Sequence, residues 1–384
     1  MRIAVAKETH FGERRVALVP ESAKKLIHAG YEISIEPGTG AAAGWPDEAY
    51  RDAGVLLELN RSVVFPSADI VLTVNVHEHL PEGQDSMALM RAGAILLGSL
   101  MPIRHLQEIK RLAEQRVTAF SSDAIPRSTR AQAMDTLSSM SSIAGYKGAL
   151  LAAVELNRYF PMLTTAAGLV LPAKVFVIGA GVAGLQAIAT ARRLGANVTA
   201  TDVRPEVKEQ IESVGAKYVG IEPAQDASAG GGYAKELSAG DRERQQALLA
   251  AECAQSDVVI TTALIGGVIA PRLINAETVR SMRKGAVIVD LAADGGGNCE
   301  LSKPGQTVTV DGVTILAPLN LAATVPYHAS LLFSRNLTAF LLAFTKDGRF
   351  QLDFNDDIQK SCVITYGGEV VHARTREAML KASL

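Results

Sequence analysis

Gly179, Gly181 and Gly184 stand at GxGxxG spacing, and Asp202 follows 23 residues after the first of them. Residues of these types in this order suit one task, holding a dinucleotide. A first glycine permits a tight turn, a second lets backbone approach a pyrophosphate, and a third lets a helix pack closely on a strand. The helix start then offers free N–H groups and the positive end of its dipole to the phosphates. An acid about 20 residues further on is suited to the hydroxyls of the adenosine ribose. Asp202 reads otherwise as a turn residue at a strand end. Its carboxylate would repel a 2′-phosphate, which favours NAD(H) over NADP(H), although Arg204 two residues later weakens that preference.

A second grouping lies in 126–135, Pro-Arg-Ser-Thr-Arg-Ala-Gln-Ala-Met-Asp. It brings two arginines, an amide and an acid together. Arg127 is positioned to hold Gln132 and Asp135 toward a bound nicotinamide if this stretch borders a cleft between domains, where ligands bind. The plainer reading is a solvated helix start.

The elements that must position these groups follow from hydropathy. The apolar run 175–178 reads as a strand buried on both faces, followed by the glycine turn, a helix over 182–192 and a second strand at 198–201. Further strands are expected at 218–221, 257–261, 286–291 and 313–316, with helices at 242–252 and 275–282. Before this unit, short apolar runs at 2–6, 31–36, 69–74, 94–98 and 117–120 alternate with helices at 20–29 and 103–115. The fold class is therefore α/β: two Rossmann-like domains with parallel sheets and a cleft between them. A helix over 136–157 carries the chain from one to the other. After Leu319 come a helix at 328–344 and a hairpin at 362–372 turning at Gly367-Gly368. They lack a partner in the second sheet and are expected to return to the first. The nucleotide domain, 141–319, is then an insertion in a first domain made of 1–140 plus 320–384. The segment 226–240 is too rich in glycine for a packed element and reads as a linker or a lid. The segment 160–171, apolar and bounded by prolines, is a hairpin for dimer contact or a buried strand.

At 384 residues, two domains are the default. Hydrophobic content of 48% with 20% charged residues describes a globular protein, and a net charge of −2 gives no basis for a nucleic-acid surface. Cys253, Cys299 and Cys362 show no metal-ligand spacing, so no metal is expected, and their scatter suits a reducing compartment. The early charges of 1–8 do not suit a signal peptide. The weakly charged stretch 159–191 is interrupted by Pro161, Pro172 and several glycines, so no transmembrane helix is expected.

Taken together, Arg127, Gln132 and Asp135 with Leu137-Ser-Ser139, Ile143-Ala-Gly-Tyr146, the run 179–191, Ala200-Thr-Asp-Val-Arg204, Gly231-Gly-Tyr-Ala-Lys-Glu236, Ile260-Thr-Thr-Ala-Leu264 and Asp290-Leu-Ala292 with Gly296-Gly-Asn-Cys299 resemble the NAD(H)-binding alpha component of proton-translocating NAD(P) transhydrogenases. The resemblance covers essentially the whole chain. It implies a homodimer that binds NAD(H) between two Rossmann-like domains and passes hydride to NADP(H) on a separate subunit. A membrane-spanning subunit would couple the transfer to proton movement. The chain would be cytoplasmic and peripheral on the inner face of the cell membrane through its partners. Because the sequence ends at Leu384 without membrane helices, it looks like the split-subunit form. By matching position, Arg127, Gln132, Asp135 and Ser138 would line the nicotinamide, with Ser128 and Thr129 beside them. Gly179, Gly181, Val182 and Gly184 would meet the pyrophosphate. Asp202, Val203 and Arg204 would bind the adenosine ribose, Leu264 would flank the adenine, and Gly232 and Tyr233 would sit on the closing loop.

Alanine dehydrogenase is similar too, through Lys7-Glu8 and Arg14/Arg15-Val-Ala17. That enzyme resembles this chain less where its chemistry lies, in a lysine of a VKVKEP-like segment and a histidine after a later strand. Here Thr73 and Asn75 stand where the lysines would be, and Ser99 near the histidine position. A dehydrogenase acting on an amino acid needs a positioned acid–base group. Hydride exchange between two nicotinamides needs alignment and exclusion of water. His10 and His77 are nearby, and each reads more simply as a surface or core histidine. The alternatives are an alanine dehydrogenase-type enzyme and a non-catalytic NAD-sensing module.

Overall fold

The computed structural model describes residues 1–383 apart from 60, 77–87, 222–227, 230–232, 235–237 and 265–269. The chain divides into two compact units, Met1–Met140 with Ala322–Leu384, and Ser141–Leu321.

The first unit carries an eight-stranded sheet. From one edge the strands are Glu369–Val370, Val363–Tyr366, Thr118–Ser121, Ile95–Ser99, Ile70–Asn75, Arg2–Val5, Glu32–Ile35 and Leu56–Leu57. All neighbours are parallel except at the tail, where Val363–Tyr366 runs antiparallel to both Thr118–Ser121 and Glu369–Val370. The tail hairpin turns on Gly367 and Gly368, whose φ values of 63° and 97° suit glycine. Helix Pro326–Ala343 fastens to the same unit through hydroxyls. Ser330 Oγ accepts from the Val16 amide and Ser334 Oγ from the Val19 amide, both at 3.0 Å.

The second unit holds seven strands in the order Lys217–Tyr218, Asn197–Thr201, Lys174–Ile178, Val258–Thr261, Val287–Asp290, Val313–Leu316 and Thr307–Val310. All pairs are parallel but the last. Continuous apolar strands are what a sheet covered on both faces requires. Side chains alternate between two cores: Val175, Val177, Val258, Ile260 and Val287 enter one, Phe176, Ile178, Val259 and Ile288 the other.

Three local expectations need correction. The strand expected at 218–221 is only Lys217–Tyr218. There the Tyr218 hydroxyl reaches the Asp202 carbonyl at 3.2 Å, and a side chain at Gly220 would strike the Tyr218 ring. The segment 226–240 is not wholly irregular: Ser228–Ala229 pairs antiparallel with Tyr233–Ala234, and helix Ala239–Gln255 has already begun. In 160–171 a hairpin forms, Leu163–Thr165 with Gly168–Val170, and its strands are largely exposed, so the buried-strand alternative is wrong.

Candidate nucleotide-binding site

In the second unit, strand Lys174–Ile178 runs into the glycine turn and helix Val182–Arg193. Gly179 adopts φ 90°, a left-handed value that a side chain resists, and a Cβ there would lie 2.8 Å from Thr262 Oγ1. That hydroxyl donates to the Gly179 carbonyl at 2.9 Å, fastening the turn to the neighbouring strand end. A Cβ on Gly184 would land on the Gly179 carbonyl oxygen and within 2.8 Å of its carbon, so the helix lies directly on the turn. Gly181 differs from both. Its φ is an ordinary −72°, and an added Cβ would meet nothing within 4 Å. Its glycine keeps open the space a pyrophosphate would need. The helix has no side-chain N-cap, which leaves its first-turn amides available to an anion. Val182, in that first turn, is 39% exposed. These features fit NAD(H).

Asp202 follows strand Asn197–Thr201, and it also braces the turn: its Oδ2 accepts from the Ala180 amide at 2.8 Å. Arg204 folds back onto it. The Arg204 amide and Nε donate to Oδ1 at 3.0 and 2.9 Å, and Nη2 donates to Oδ2 at 2.8 Å. The two side chains are only 10% and 7% exposed. These hydrogen bonds, more than burial, set the Arg204 guanidinium pKa and raise it above the ordinary value. Val203, between them, is half-buried.

The neighbouring strand ends are organised by Asp290, which is fully buried. Oδ1 accepts from Thr261 Oγ1 at 3.0 Å and from the Ala292 and Asn298 amides at 3.1 Å. Oδ2 accepts from the Cys299 amide at 3.0 Å and Ser302 Oγ at 2.6 Å. Asn298 extends the hub, with Oδ1 accepting from the Ala263 amide and Nδ2 donating to the Ala263 and Pro271 carbonyls, each at 2.9 Å. The Ala263 backbone is thereby pinned just past strand Val258–Thr261, and half-buried Leu264 follows it. Gly232 lies outside the described residues, and of Tyr233 only the strand backbone is described.

The Arg127–Ser138 set belongs to the first unit. Asp135 caps the long helix Thr136–Glu155: Oδ1 accepts from the Ser138 amide at 2.9 Å and Oδ2 from Ser138 Oγ at 2.6 Å. Arg127 Nε sits 3.9 Å from Asp135 Oδ2. Gln132 is exposed and makes no hydrogen bond to Arg127 among the described residues, so Arg127 steadies Asp135 but not Gln132. Thr129 is exposed, whereas Ser128 Oγ is shielded without a protein partner. Arg130 anchors the loop by reaching Asp356 and Asp357 at 2.5 and 2.6 Å.

Elsewhere in this unit, Thr73, Asn75 and Ser99 are engaged in structural bonds. Thr73 Oγ1 lies 2.6 Å from the Asn75 carbonyl oxygen and 3.0 Å from Glu8 Oε1, its single proton shared between these two acceptors. Asn75 Nδ2 donates to Glu13 Oε2 at 2.8 Å, and Ser99 Oγ to Asp123 Oδ1 at 2.6 Å. Glu13 also grips Arg15, with Nε–Oε1 2.8 Å and Nη2–Oε2 2.6 Å. His10 Nε2 lies 2.9 Å from the Val76 carbonyl, and His77 is outside the described residues.

Residues 4–144 match the N-terminal domain, and residues 148–373 the C-terminal domain, of the alanine dehydrogenase/PNT family. The chain is 43% identical to an NAD(P) transhydrogenase alpha-subunit chain of Rhodospirillum rubrum, over 97% of this chain and 98% of that protein. The chain belongs to the NAD(P) transhydrogenase alpha-subunit family. A crystal structure of transhydrogenase from Sinorhizobium meliloti superposes with TM-score 0.84 at 39% identity, covering 97% of this chain and all of that one. An L-alanine dehydrogenase structure gives TM-score 0.82 at 25% identity, covering 99% of each chain. The two branches of the family thus share a backbone.

For this transhydrogenase-type chain, Gly145 stands in the stretch Ile143-Ala-Gly-Tyr146 that carries the resemblance, but the sequence assigns it no packing role. A Cβ there would land on the Ala183 carbonyl, so the long helix packs backbone to backbone against the first turn of the glycine-turn helix. A glycine inside an apolar helix was the available signal. Among the described residues no His, Cys, Asp or Glu cluster could hold a metal, and no helix is long and apolar enough to cross a membrane.

Proposed function

We propose that this chain is the NAD(H)-binding subunit of a proton-translocating transhydrogenase. The observation that supports this most is the glycine turn itself: Gly181 opens onto free space above an uncapped helix start, with Asp202 bonded to the same turn. A bound nicotinamide would supply the hydride. The first-turn amides of Val182–Arg193 would hold the pyrophosphate, and Asp202 the adenosine ribose. Leu264 would flank the adenine, and the segment 226–240 would close over the cofactor. Arg127, Gln132, Asp135 and Ser138, with Ser128 and Thr129, would orient the nicotinamide and exclude water. Orientation is the main demand, because hydride passage between two nicotinamides requires no proton donor.

The acceptor, NADP(H), would be carried by a partner subunit, and a membrane-spanning subunit would couple the transfer to proton movement. The chain would work as a homodimer, peripheral to the membrane through these partners. Leu169 and Leu171 on the 163–170 hairpin and its exit, 61% and 72% exposed, offer an apolar surface for the dimer. The engagement of Thr73, Asn75 and Ser99 speaks against an alanine dehydrogenase. None of the three can shuttle a proton near neutral pH, and all are tied to neighbouring carboxylates or carbonyls.

The test measures NADH oxidation by the purified chain. Pyruvate with ammonia should leave NADH unconsumed, whereas adding an NADP(H)-binding transhydrogenase subunit with NADP+ should start transfer. Robust turnover with pyruvate by the chain alone would overturn the proposal.

A further inference from the structure

Gln132 stands in the short turn Gln132–Met134 and is exposed. An exposed side chain takes its starting direction from the backbone that carries it. Local bonds shape that backbone: the Ala131 amide donates to the Ser128 carbonyl at 3.1 Å, and the Met134 amide to the Ala131 carbonyl at 2.8 Å. Ala131 and Met134 enter the same core as Phe333 and Leu337 of helix Pro326–Ala343. Between them, Asn336 of that helix donates from Nδ2 to the Ala133 carbonyl at 2.8 Å, across 203 positions of sequence. Asn336 is buried, 8% exposed. The other tie to this loop, Arg130 with Asp356 and Asp357, uses an arginine 56% exposed, where water and salt weaken an ion pair. The Asn336 bond is therefore the firmer of the two.

Stability does not account for an asparagine at this place. It is a poor residue for a helix interior. Its Oδ1 is shielded without a protein partner, so burying the amide costs about what its single hydrogen bond returns. What the bond does supply is a fixed spacing between helix and turn. The helix is itself fastened, because Ser330 and Ser334 hold the Val16 and Val19 amides. Asn336 thus refers the residue beside Gln132 to a rigid part of the first unit.

We infer that Asn336 is a positioning residue for Gln132, clamping the turn through the Ala133 carbonyl so that the Gln132 amide meets the nicotinamide at one angle. This rests on the reading of Gln132 as a nicotinamide contact. It also gives the tail a task beyond completing the sheet of the first unit, since the clamp comes from the returning helix. Hydride transfer depends steeply on alignment, whereas binding is spread over the whole dinucleotide. Loss of the clamp should therefore register in the transfer rate and hardly in affinity.

The test is single-turnover hydride transfer by stopped flow, in the complex with an NADP(H)-binding transhydrogenase subunit, beside NADH titration. Asn336→Asp keeps the shape and loses the donor. Relative to wild type it should slow transfer roughly 10- to 100-fold at about pH 8 and change NADH affinity less than about threefold. A carboxyl buried against a carbonyl oxygen takes up a proton more readily than one in water, and the protonated form donates again, so this rate should recover toward wild type as pH falls to about 6. Asn336→Ala, which cannot regain a donor, should stay slow at every pH, and it serves if the aspartate variant folds poorly. In a Gln132→Ala background, Asn336→Ala should add no further slowing, because the side chain it positions is already gone. A merely structural role would give additive losses and no recovery at low pH. Additive losses, or full transfer rates in the Asn336 variants, alongside slow transfer in Gln132→Ala, would overturn this inference and leave the nicotinamide contact standing. Normal transfer in Gln132→Ala would overturn that contact, and the inference with it.

Discussion

Glu8 should give the first unit a stability that declines as pH rises from about 4.5 to about 7. Its carboxyl is raised from an ordinary 4.5 to about 7, first by desolvation and further by the neighbouring charge of Glu13. The Val74 amide at 2.6 Å, Thr73 Oγ1 and Arg15 oppose the shift without cancelling it. A group that binds its proton more tightly folded than unfolded stabilises the fold fully below the unfolded value, and that stability is lost as pH climbs to the folded value. At 1.36 kcal/mol per pH unit the full effect is roughly 3 kcal/mol, and solvent at the half-buried residue screens this to about 2 kcal/mol. Glu8→Gln resembles the protonated form and should remove the dependence. His372 shifts the other way, lowered mainly by desolvation, so the useful quantity is the difference between wild type and variant. Urea unfolding of the first-unit transition at several pH values from 5 to 8 measures it. The variant should gain about 2 kcal/mol relative to wild type across that interval, and a difference that stays flat would refute the reasoning.

Two substitutions test the packing under the proposed site. Gly184→Ala places a methyl on the Gly179 carbonyl and should cost about 2–3 kcal/mol of second-unit stability as well as most NADH affinity, seen by thermal unfolding and fluorescence titration; a stable variant with normal binding would mean that the helix does not lie on the turn. Asp290→Asn turns an amide donor toward a shell made of N–H and O–H donors and should destabilise by about 2–4 kcal/mol, with hydrogen exchange rising through 291–302; retained exchange protection there would show the hub to be dispensable.

How far the sequence carried depended on the range of the interaction. Strand Lys174–Ile178 is legible because burial on both faces imposes an unbroken apolar run, and the tail hairpin because Gly367-Gly368 is a turn by composition. The pairing of Ser228–Ala229 with Tyr233–Ala234 is not, since two-residue strands carry no periodicity. Gly145 lies in plain view, but a glycine reports only that a side chain is excluded, and the excluding atom, the Ala183 carbonyl, is 38 positions along the chain. The loop at 127–135 reads as a holder of a nicotinamide. The structure gives Asp135 a prior duty as the cap of the long helix, in keeping with the plainer reading of the stretch as a helix start.

Asp202 shows most clearly what lies between a motif and a site. Spacing from Gly179 suggests a ribose acid and says nothing about the four hydrogen bonds its carboxylate accepts within the protein. A buried carboxylate needs hydrogen-bond donors, and the surrounding protein supplies four. Two come from backbone that the turn fixes in any case, Ala180 and Arg204. The other two come from the side chain of Arg204, two residues away. The same arginine that weakens the inference from spacing is, in the folded chain, the group that completes the hydrogen bonding of the carboxylate.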